Sequence, residues 1–234
     1  TNATDGKIES IIVTGGSESA VNETGVGGFN ALKALSERNE SPETASRPFD
    51  RDRDGFVLGE GGGALILEEY NHAKKRDAKI YGEIIGFGMS CDAHHITAPH
   101  PQGEGAKLVM ENALDNAKIK IEDVDHINVH GTSTPLGDKS EIMAIENVFG
   151  EITEKINICS TKSMTGHLLG AAGAIESIAA IISINESFIP PTINHFNHDE
   201  DINSNLNLTL NEFQNRDVNI AMNNTFGFGG HNTS

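Results

Sequence analysis

A regular alternation of helical and strand patterns between residues 105 and 187 constrains this sequence most. In chain order the segments are helix "GAKLVMENALDNAKI", strand "VDHINVHGTS", helix "GDKSEIMAIENVFG", strand "KINICSTKS" and helix "GHLLGAAGAIESIAAIISINES". Strands that alternate with helices indicate crossover connections and a buried, largely parallel sheet. We therefore predict an α/β fold whose last long helix covers residues 167–186.

The flanking segments predict further elements. "IESIIVTGGSES" is typical of a buried strand, "GVGGFNALKALSERN" of a helix, "GGALILEEY" of a strand, "EEYNHAKKRD" of a solvated helix and "RPFDRDRDG" of a loop. "KIYGEIIGFGMSCD" opens a second unit, "DVNIAMNNT" is a strand and "FGFGGHNTS" is a glycine-rich loop. We expect two units, residues 1–78 and 79–234, and because both ends look cut, a part of a larger α/β domain.

Charge and composition exclude several classes of function. The formal net charge is −17, so the protein as a whole repels nucleic acid. We see no apolar run close to the roughly 20 residues of a membrane helix and no signal peptide at the start, and expect a soluble protein. Cys91 and Cys159 are the only cysteines. A reducing cytoplasm fits this composition best.

Reactive side chains follow three of the predicted strands, in "NVHGTSTPLGD", "CSTKSMTGH" and "MNNTFGFGGHN". Ligands of open α/β sheets bind beyond the carboxyl ends of the strands. We therefore expect His130, Lys162 and His167 to share one pocket. At the start of the predicted helix, His167 would be held neutral by the helix dipole, and a neutral imidazole can donate an N–H to an oxyanion.

Metal and nucleotide sites find little support in the sequence. His94, His95 and His100 gather in "AHHITAPH", but their spacing fits no structural zinc pattern. "GEGGGA" and "FGFGG" lack the strand-turn-helix setting and the Lys-Ser/Thr ending of a phosphate loop. We expect no metal, no nucleotide and no other resident cofactor.

Four motifs together resemble the β-ketoacyl-acyl-carrier-protein synthases, most of all the type II elongating condensing enzymes. They are "SRPFDRDRDGFVLGEG" (46–61), "HGTSTPLGD" (130–138), "TKSMTGHLLGAAGAIE" (161–176) and "NNTFGFGG" (223–230). The resemblance implies a thiolase-like, layered α-β-α-β-α fold. Residues 1–78 would be a remnant of its amino-terminal half, and residues 79–234 the carboxy-terminal half without its last strand.

The resemblance implies an acyltransferase that condenses an acyl chain with malonyl carrier protein by decarboxylative Claisen chemistry in fatty acid synthesis. It also implies a homodimer with acyl carrier protein as partner and with phosphopantetheine carried by the substrates. His130 and His167 would hold the malonyl thioester carbonyl and stabilise the enolate. Lys162 would support that pair, and Glu176 would hold Lys162. The alternatives from the residues alone are structural histidines, a surface lysine and an unpaired buried charge.

Five further residues take roles by resemblance. Phe228 matches the gating phenylalanine of the oxyanion loop, with core filling as its alternative. Thr132 and Thr134 match residues that bind the pantetheine arm, although threonines also cap turns. Thr97 matches a residue near the pantetheine entrance. Lys33 matches a basic position for carrier docking, where the acidic carrier needs a local positive charge.

One family feature has no match in this sequence. The family's nucleophilic cysteine opens a buried helix, whereas Cys91 and Cys159 lie in strand patterns that would not lower a thiol pKa. By itself the chain should therefore be inactive. Two alternatives remain open, a polyketide ketosynthase domain and a non-catalytic ketosynthase-like partner subunit.

Overall fold

The computed structural model describes residues 11–234, so the first three residues of the strand predicted in "IESIIVTGGSES" lie outside the described part. The strands are β1 Ile11–Glu18, β2 Gly61–Glu68, β3 Met89–Cys91, β4 His126–Asn128, β5 Asn157–Cys159, β6 Phe188–Ile189, β7 Gln214–Asn215, β8 Ala221–Asn223, β9 Thr225–Gly227 and β10 His231–Thr233. The α-helices are α1 Glu23–Ala31, α2 Tyr70–Lys75, α3 Glu104–Ala117, α4 Pro135–Phe149, α5 Lys162–Thr165 and α6 Ala172–Glu186.

A buried parallel sheet with the order β5-β4-β8 forms the centre of the structure. All residues of β4 and β5 are buried, including the polar residues His126, Asn128 and Asn157. The parallel sheet predicted from the alternation of segments is confirmed. Helices α3 and α4 pack against each other beside it and supply much of the main hydrophobic core.

Local sequence explains where these two helices begin and end. In α3 the buried residues Ala106, Val109, Met110 and Ala113 recur at helical spacing and form one apolar face. The helix ends at Lys118, whose left-handed φ of 57° stops the helical hydrogen bonding. Helix α4 begins with Pro135, whose fixed φ and missing N–H suit the first position of a helix.

The antiparallel pair β1–β2 departs from the prediction of a buried strand. Val13 pairs with Ile66 across the two strands, and these side chains are 72% and 71% exposed. The strand itself is confirmed over Ile11–Glu18, but its outer face has no cover among the described residues. β-Branched residues favour strands whether or not a partner covers them, so the composition predicts the strand and not its burial.

The carboxy-terminal segment also differs from its prediction. "FGFGGHNTS" is largely a β-hairpin, in which β9 and β10 pair and β10 also pairs with β3. The turn contains Gly229 and Gly230 at φ 85° and 76°, a region that favours glycine. Of "KIYGEIIGFGMSCD", only Met89–Cys91 forms a strand, and the residues before it have no regular structure.

One helical segment of the described chain, Leu169–Glu186, is long and apolar enough by composition to cross a membrane. The expectation that no run approaches that length is wrong for this segment. Core helices of soluble proteins pass the same test. This one packs against β1, β2 and β8, and it contains the buried, charge-paired Glu176.

Candidate active site

Two histidine rings meet at the carboxyl edge of the parallel sheet. The ring centroids of His130 and His167 lie 5.2 Å apart, and the ring planes are almost perpendicular at 87°. His130 follows β4, and His167 follows β5 and the short helix α5. Because neighbouring parallel strands end at the same edge, residues that are 37 positions apart in the chain become neighbours. The predicted juxtaposition is confirmed.

A buried carboxylate that sequence reasoning missed holds the loop of His130. Glu141 accepts the backbone N–H of His130 through Oε1 and that of Gly131 through Oε2, each at 2.8 Å. The side-chain amide of Asn224 lies 3.3 Å from Oε1. Burial raises the pKa of Glu141 to about 7, against the lowering effect of these N–H groups. The missed signal is an acidic residue at a core-facing position of α4, beside the buried Ile142.

The predicted position of His167 at the start of the long helix is wrong. Helix α6 begins at Ala172, and His167 lies before it in an extended segment that forms a β-bridge with Leu58. The backbone N–H of Leu169 donates to Nδ1 of His167 at 3.3 Å. Since Nδ1 accepts this hydrogen bond, the proton of the neutral ring lies on Nε2.

The ring of His167 is neutral, as predicted, but from a different cause, and the ring of His130 is neutral as well. Burial, with a smaller contribution from the Lys162 charge, lowers the pKa of His167 to about 3. Burial, followed by the charges of Lys162 and His167, holds the pKa of His130 well below its usual 6.5. Nδ1 of His130 is buried and has no hydrogen-bond partner within residues 11–234.

Lys162 and Glu176 form a buried ion pair behind the histidines. Nζ of Lys162 contacts Oε1 of Glu176, and the two residues are 1% and 2% exposed. Burial raises the pKa of Glu176, while Lys162 opposes that shift. The predicted partnership between them is confirmed, which excludes an unpaired carboxylate and a surface lysine.

A cavity of about 580 Å³ opens in front of the histidine pair. Seven of the nine residues singled out in the sequence line it, namely His130, His167, Thr132, Thr134, Thr97, Lys33 and Phe228. Lys162 and Glu176 are buried and absent from the lining, so the prediction that Lys162 shares this pocket with the two histidines is wrong. Of the lining residues within the described chain, Lys33 is the one lysine or arginine, beside the acidic Asp54 and Asp92.

The two threonines face each other on the wall of the cavity. Their hydroxyl oxygens are 3.0 Å apart, and Thr134 makes no side-chain capping bond although it occupies the N-cap position of α4. Thr134 therefore does not cap α4 through its side chain, which leaves turn capping by either threonine as an open alternative. Thr97 lies on the opposite loop, where its backbone N–H donates to Nδ1 of His95 at 3.1 Å.

Phe228 lies at the tip of the β9–β10 hairpin and is 49% exposed, so core filling is not its role. A row of aromatic contacts joins it to the histidines. Phe228 lies 6.4 Å from Phe29, Phe29 lies 5.3 Å from Phe56, and Phe56 lies 5.3 Å from the ring of His167. The hairpin tip and the histidine pair therefore border one continuous apolar wall.

Neither cysteine lines the cavity. Cys159 is fully buried in β5, and burial raises the pKa of its thiol well above the usual range. Cys91 lies exposed in β3. The described residues contain no group of three or more His, Cys, Asp or Glu side chains arranged to hold a metal, although the rings of His94 and His100 are 5.2 Å apart.

Two family profiles match this sequence, the β-ketoacyl synthase amino-terminal domain over residues 5–73 and the β-ketoacyl synthase carboxy-terminal domain over residues 81–196. The chain belongs to the β-ketoacyl synthase family, and its fold is the thiolase-like α/β fold of that family.

Curated relatives and solved structures agree with this assignment. The 3-oxoacyl-[acyl-carrier-protein] synthase 2 of Coxiella burnetii is 52% identical over 94% of this chain and 53% of its own length. A type II PKS ketosynthase, solved with its acyl-carrier protein and bound to the hexaketide, is 40% identical with a TM-score of 0.92, over 96% of this chain and 55% of that one. The ishigamide ketosynthase/chain length factor is 39% identical with a TM-score of 0.86, over 96% and 52%. The chain spans about half the length of the curated relatives it matches.

Proposed function

We propose that this chain supplies the enolate-stabilising site of a β-ketoacyl-acyl-carrier-protein synthase of fatty acid biosynthesis, which is an acyltransferase. The observation that carries this proposal is the pair of neutral histidine rings in contact at the cavity wall. The 52% identity to a relative named 3-oxoacyl-[acyl-carrier-protein] synthase 2 supports the same reaction.

In the proposed reaction, the bond between the malonyl carboxylate and its α-carbon breaks and carbon dioxide leaves. The electron pair passes through the α-carbon to the thioester oxygen, which becomes an enolate. His130 and His167 donate N–H hydrogen bonds to that oxygen, and preorganised donors of this kind typically contribute about 3 kcal/mol each. The enolate carbon then attacks the carbonyl of an acyl thioester, and the thiolate of the acyl-bearing cysteine leaves. Cys91 and Cys159 are not proposed as that cysteine.

We assign to the surrounding residues the roles that the resemblance implies. We propose that Lys162, held by Glu176, favours the neutral state of both rings through its charge. Thr132 and Thr134 bind the amides of the phosphopantetheine arm, with Thr97 near its entrance. These last assignments are supported by the position of all three threonines on the cavity wall.

Phe228 and Lys33 are proposed to act at the mouth of the cavity. Phe228 gates access from an exposed hairpin tip, and the glycine loop around it contributes to the oxyanion site. Lys33 is exposed and provides a local positive charge for an acidic carrier in a protein of net charge −17. A structural neighbour solved with its acyl-carrier protein supports that partner class.

Homodimer formation, a cytoplasmic location and the division of the chain near residue 78 are further parts of the proposal. The reaction as written needs no resident metal, nucleotide or other cofactor, because the substrates carry their own phosphopantetheine.

A polyketide ketosynthase is the second candidate for the whole protein. It is supported by the likeness to a type II PKS ketosynthase at a TM-score of 0.92. The higher identity to the relative named 3-oxoacyl-[acyl-carrier-protein] synthase 2 favours the first candidate. A non-catalytic partner subunit is less well supported, since the His130, His167 and Lys162 arrangement is intact in this chain.

The proposal is tested by His167→Ala in the gene product that carries this chain. Malonyl decarboxylation, measured as carbon dioxide release from malonyl carrier protein, is expected to fall roughly 10²- to 10³-fold because one oxyanion donor is lost. Acyl transfer to the nucleophilic cysteine is expected to survive.

The matched control is His94→Ala, which removes an exposed loop histidine outside the cavity lining. It should leave decarboxylation unchanged. Full decarboxylation by the His167→Ala protein would remove the role that we assign to this ring.

A further inference from the structure

The charged segment 47–55, predicted only as a loop, is largely buried and has no part in the chemistry above. Arg53, near its carboxyl end, is 6% exposed. Its guanidinium faces five oxygen partners, which are the backbone carbonyls of Asp50 (2.8 Å), Thr134 (3.4 Å) and Pro135 (3.1 Å) and the carboxylates of Asp138 (3.3 Å) and Asp199 (2.6 Å). Two of these partners, Thr134 and Pro135, are consecutive residues at the end of the loop that carries the cavity threonines and at the start of α4.

Asp138 connects Arg53 to the middle of the same loop. It is fully buried in α4, and its Oδ1 accepts the backbone N–H of Ser133 at 3.1 Å. Its Oδ2 faces Arg53 and accepts the backbone N–H of Phe49, also at 3.1 Å. One carboxylate therefore ties the charged segment and the threonine loop together.

The loop needs this support because its backbone is strained. Ser133 has a φ of 69°, in the left-handed region that residues other than glycine rarely adopt. The side-chain oxygen of Ser133 accepts the backbone N–H of Arg47 at 3.0 Å, and its carbonyl accepts that of Gly55 at 3.1 Å. The strained residue separates Thr132 from Thr134 and so determines how both hydroxyls are presented to the cavity.

We propose that Arg53, acting through Asp138 and the carbonyls of Thr134 and Pro135, is a positioning residue for binding of the pantetheine arm of the malonyl substrate. This inference rests on the proposed function of the site. Arg53 does not line the cavity and touches no reacting atom.

Arginine suits this position better than lysine. Its planar guanidinium offers five N–H donors in a fixed arrangement, whereas a lysine ammonium is a compact point charge on a flexible stem. A lysine at position 53 keeps the positive charge beside Asp138. It cannot reach Asp138, Asp199 and two loop carbonyls together.

The test compares Arg53→Lys with the unchanged protein on two substrates. Malonyl-CoA carries the full pantetheine arm, and malonyl methyl thioester carries none. With Arg53→Lys, kcat/KM for decarboxylation of malonyl-CoA is expected to fall roughly tenfold, mainly through KM, because a displaced loop misplaces the arm. The rate with the methyl thioester is expected to stay within about twofold of the unchanged protein.

A second variant covers the case in which Arg53→Lys does not fold, as judged by its thermal unfolding. Asp199→Asn removes one of the two carboxylates that pair with Arg53. The side chain of Asp199 is 16% exposed, so it is the more accessible of the two. This variant should give the same selective loss of activity with malonyl-CoA, but a smaller one. The matched control is Arg51→Ala, since Arg51 is 58% exposed on the same segment and pairs only with Asp52 within the described chain. This variant should leave the decarboxylation rate with either substrate unchanged.

The outcomes separate this inference from the proposed function. An equal loss on both substrates, or no loss on either, overturns the positioning role of Arg53. Absence of decarboxylation by the unchanged protein overturns the proposed function instead. A Thr134→Val change is expected to give the same selectivity, and adding it to Arg53→Lys should cost little more than either change alone, because both act on one loop.

Discussion

At the scale of single residues, the state of the histidine pair depends on a cation outside the cavity. The residue types and their positions after parallel strands were sufficient to predict that His130 and His167 meet, but not that Lys162 lies outside their pocket. The cause of their neutrality was not predictable in this way. Burial and the charge of Lys162 lower both histidine pKa values, and these depend on tertiary packing rather than on a helix that begins five residues after His167.

Removing that cation should change the pH dependence of the reaction. In a Lys162→Met, Glu176→Gln double variant the buried carboxylate is removed with its partner, so no uncompensated charge remains. Without the positive charge, the histidine pKa values rise. The rings then become protonated at a higher pH and no longer form a pair of neutral donors. The fall in decarboxylation rate on the acid side of the pH profile, which we call the acid limb, therefore moves to higher pH.

The measurement is carbon dioxide release between about pH 4 and 8, a range that includes the ordinary histidine pKa. The unchanged protein should show no histidine limb near neutral pH, since the pKa of His167 is about 3. Lys139→Met, which removes an exposed lysine, is the control. An acid limb at the same pH in the double variant and in the unchanged protein would contradict the role of Lys162.

At the scale of elements, the long periodic helices were predictable, as were the short strands β4, β5 and β8, whereas the hairpin β9–β10 was not. Helices α3 and α4 have a buried face that repeats at helical spacing, so the sequence pattern was sufficient. Strands β9 and β10 lie in a glycine-rich stretch, which is typical of a loop rather than of a strand. Their pairing depends on the turn at Gly229 and Gly230 and on contact with β3.

This turn can be tested with Gly230→Ala. A Cβ at Gly230 would lie 2.9 Å from Cβ of Asp92, and the φ of 76° is unfavourable for alanine. We expect a loss of about 1–3 kcal/mol in the free energy of unfolding, measured by urea denaturation. Slower acyl transfer should accompany it, because Phe228 lies on the same turn.

Gly27→Ala is the matched control on helix α1. A Cβ there meets nothing within 4 Å, and alanine is the better helix former by roughly 1 kcal/mol. The free energy of unfolding of the Gly27→Ala variant should equal or exceed that of the unchanged protein. Equal stability of the Gly230→Ala variant and the unchanged protein would show that the turn tolerates a side chain.

At the scale of the whole molecule, apolar side chains are open to solvent on two of the sheets. Val13 and Ile66 on the β1–β2 pair are exposed, as are Ile84, Phe87 and Met89 near β3. The strand was predictable from its β-branched composition, whereas its exposure was not, because burial depends on which surfaces are available to pack against it. Exposed apolar patches of this kind mark interaction sites or aggregation-prone surfaces.

We therefore expect the 234-residue chain, expressed by itself, to self-associate. A Val13→Lys, Ile66→Lys double variant places two charges on one cross-strand pair and should reduce that association, as measured by light scattering and gel filtration. Leu108→Lys, at an exposed position of α3 and not on the β1–β2 pair, should have little effect. A chain that stays monomeric without any substitution would contradict this expectation.

The hydrogen bond from the Leu169 amide to His167 has a consequence for turnover in the proposed reaction. Since the main chain occupies one ring nitrogen, the imidazole presents its hydrogen in a single direction and has no second tautomer to adopt. A ring that donates a hydrogen bond without transferring its proton has the same protonation state after the product leaves as before the reaction. The next catalytic cycle need not wait for a proton to be restored from the solvent.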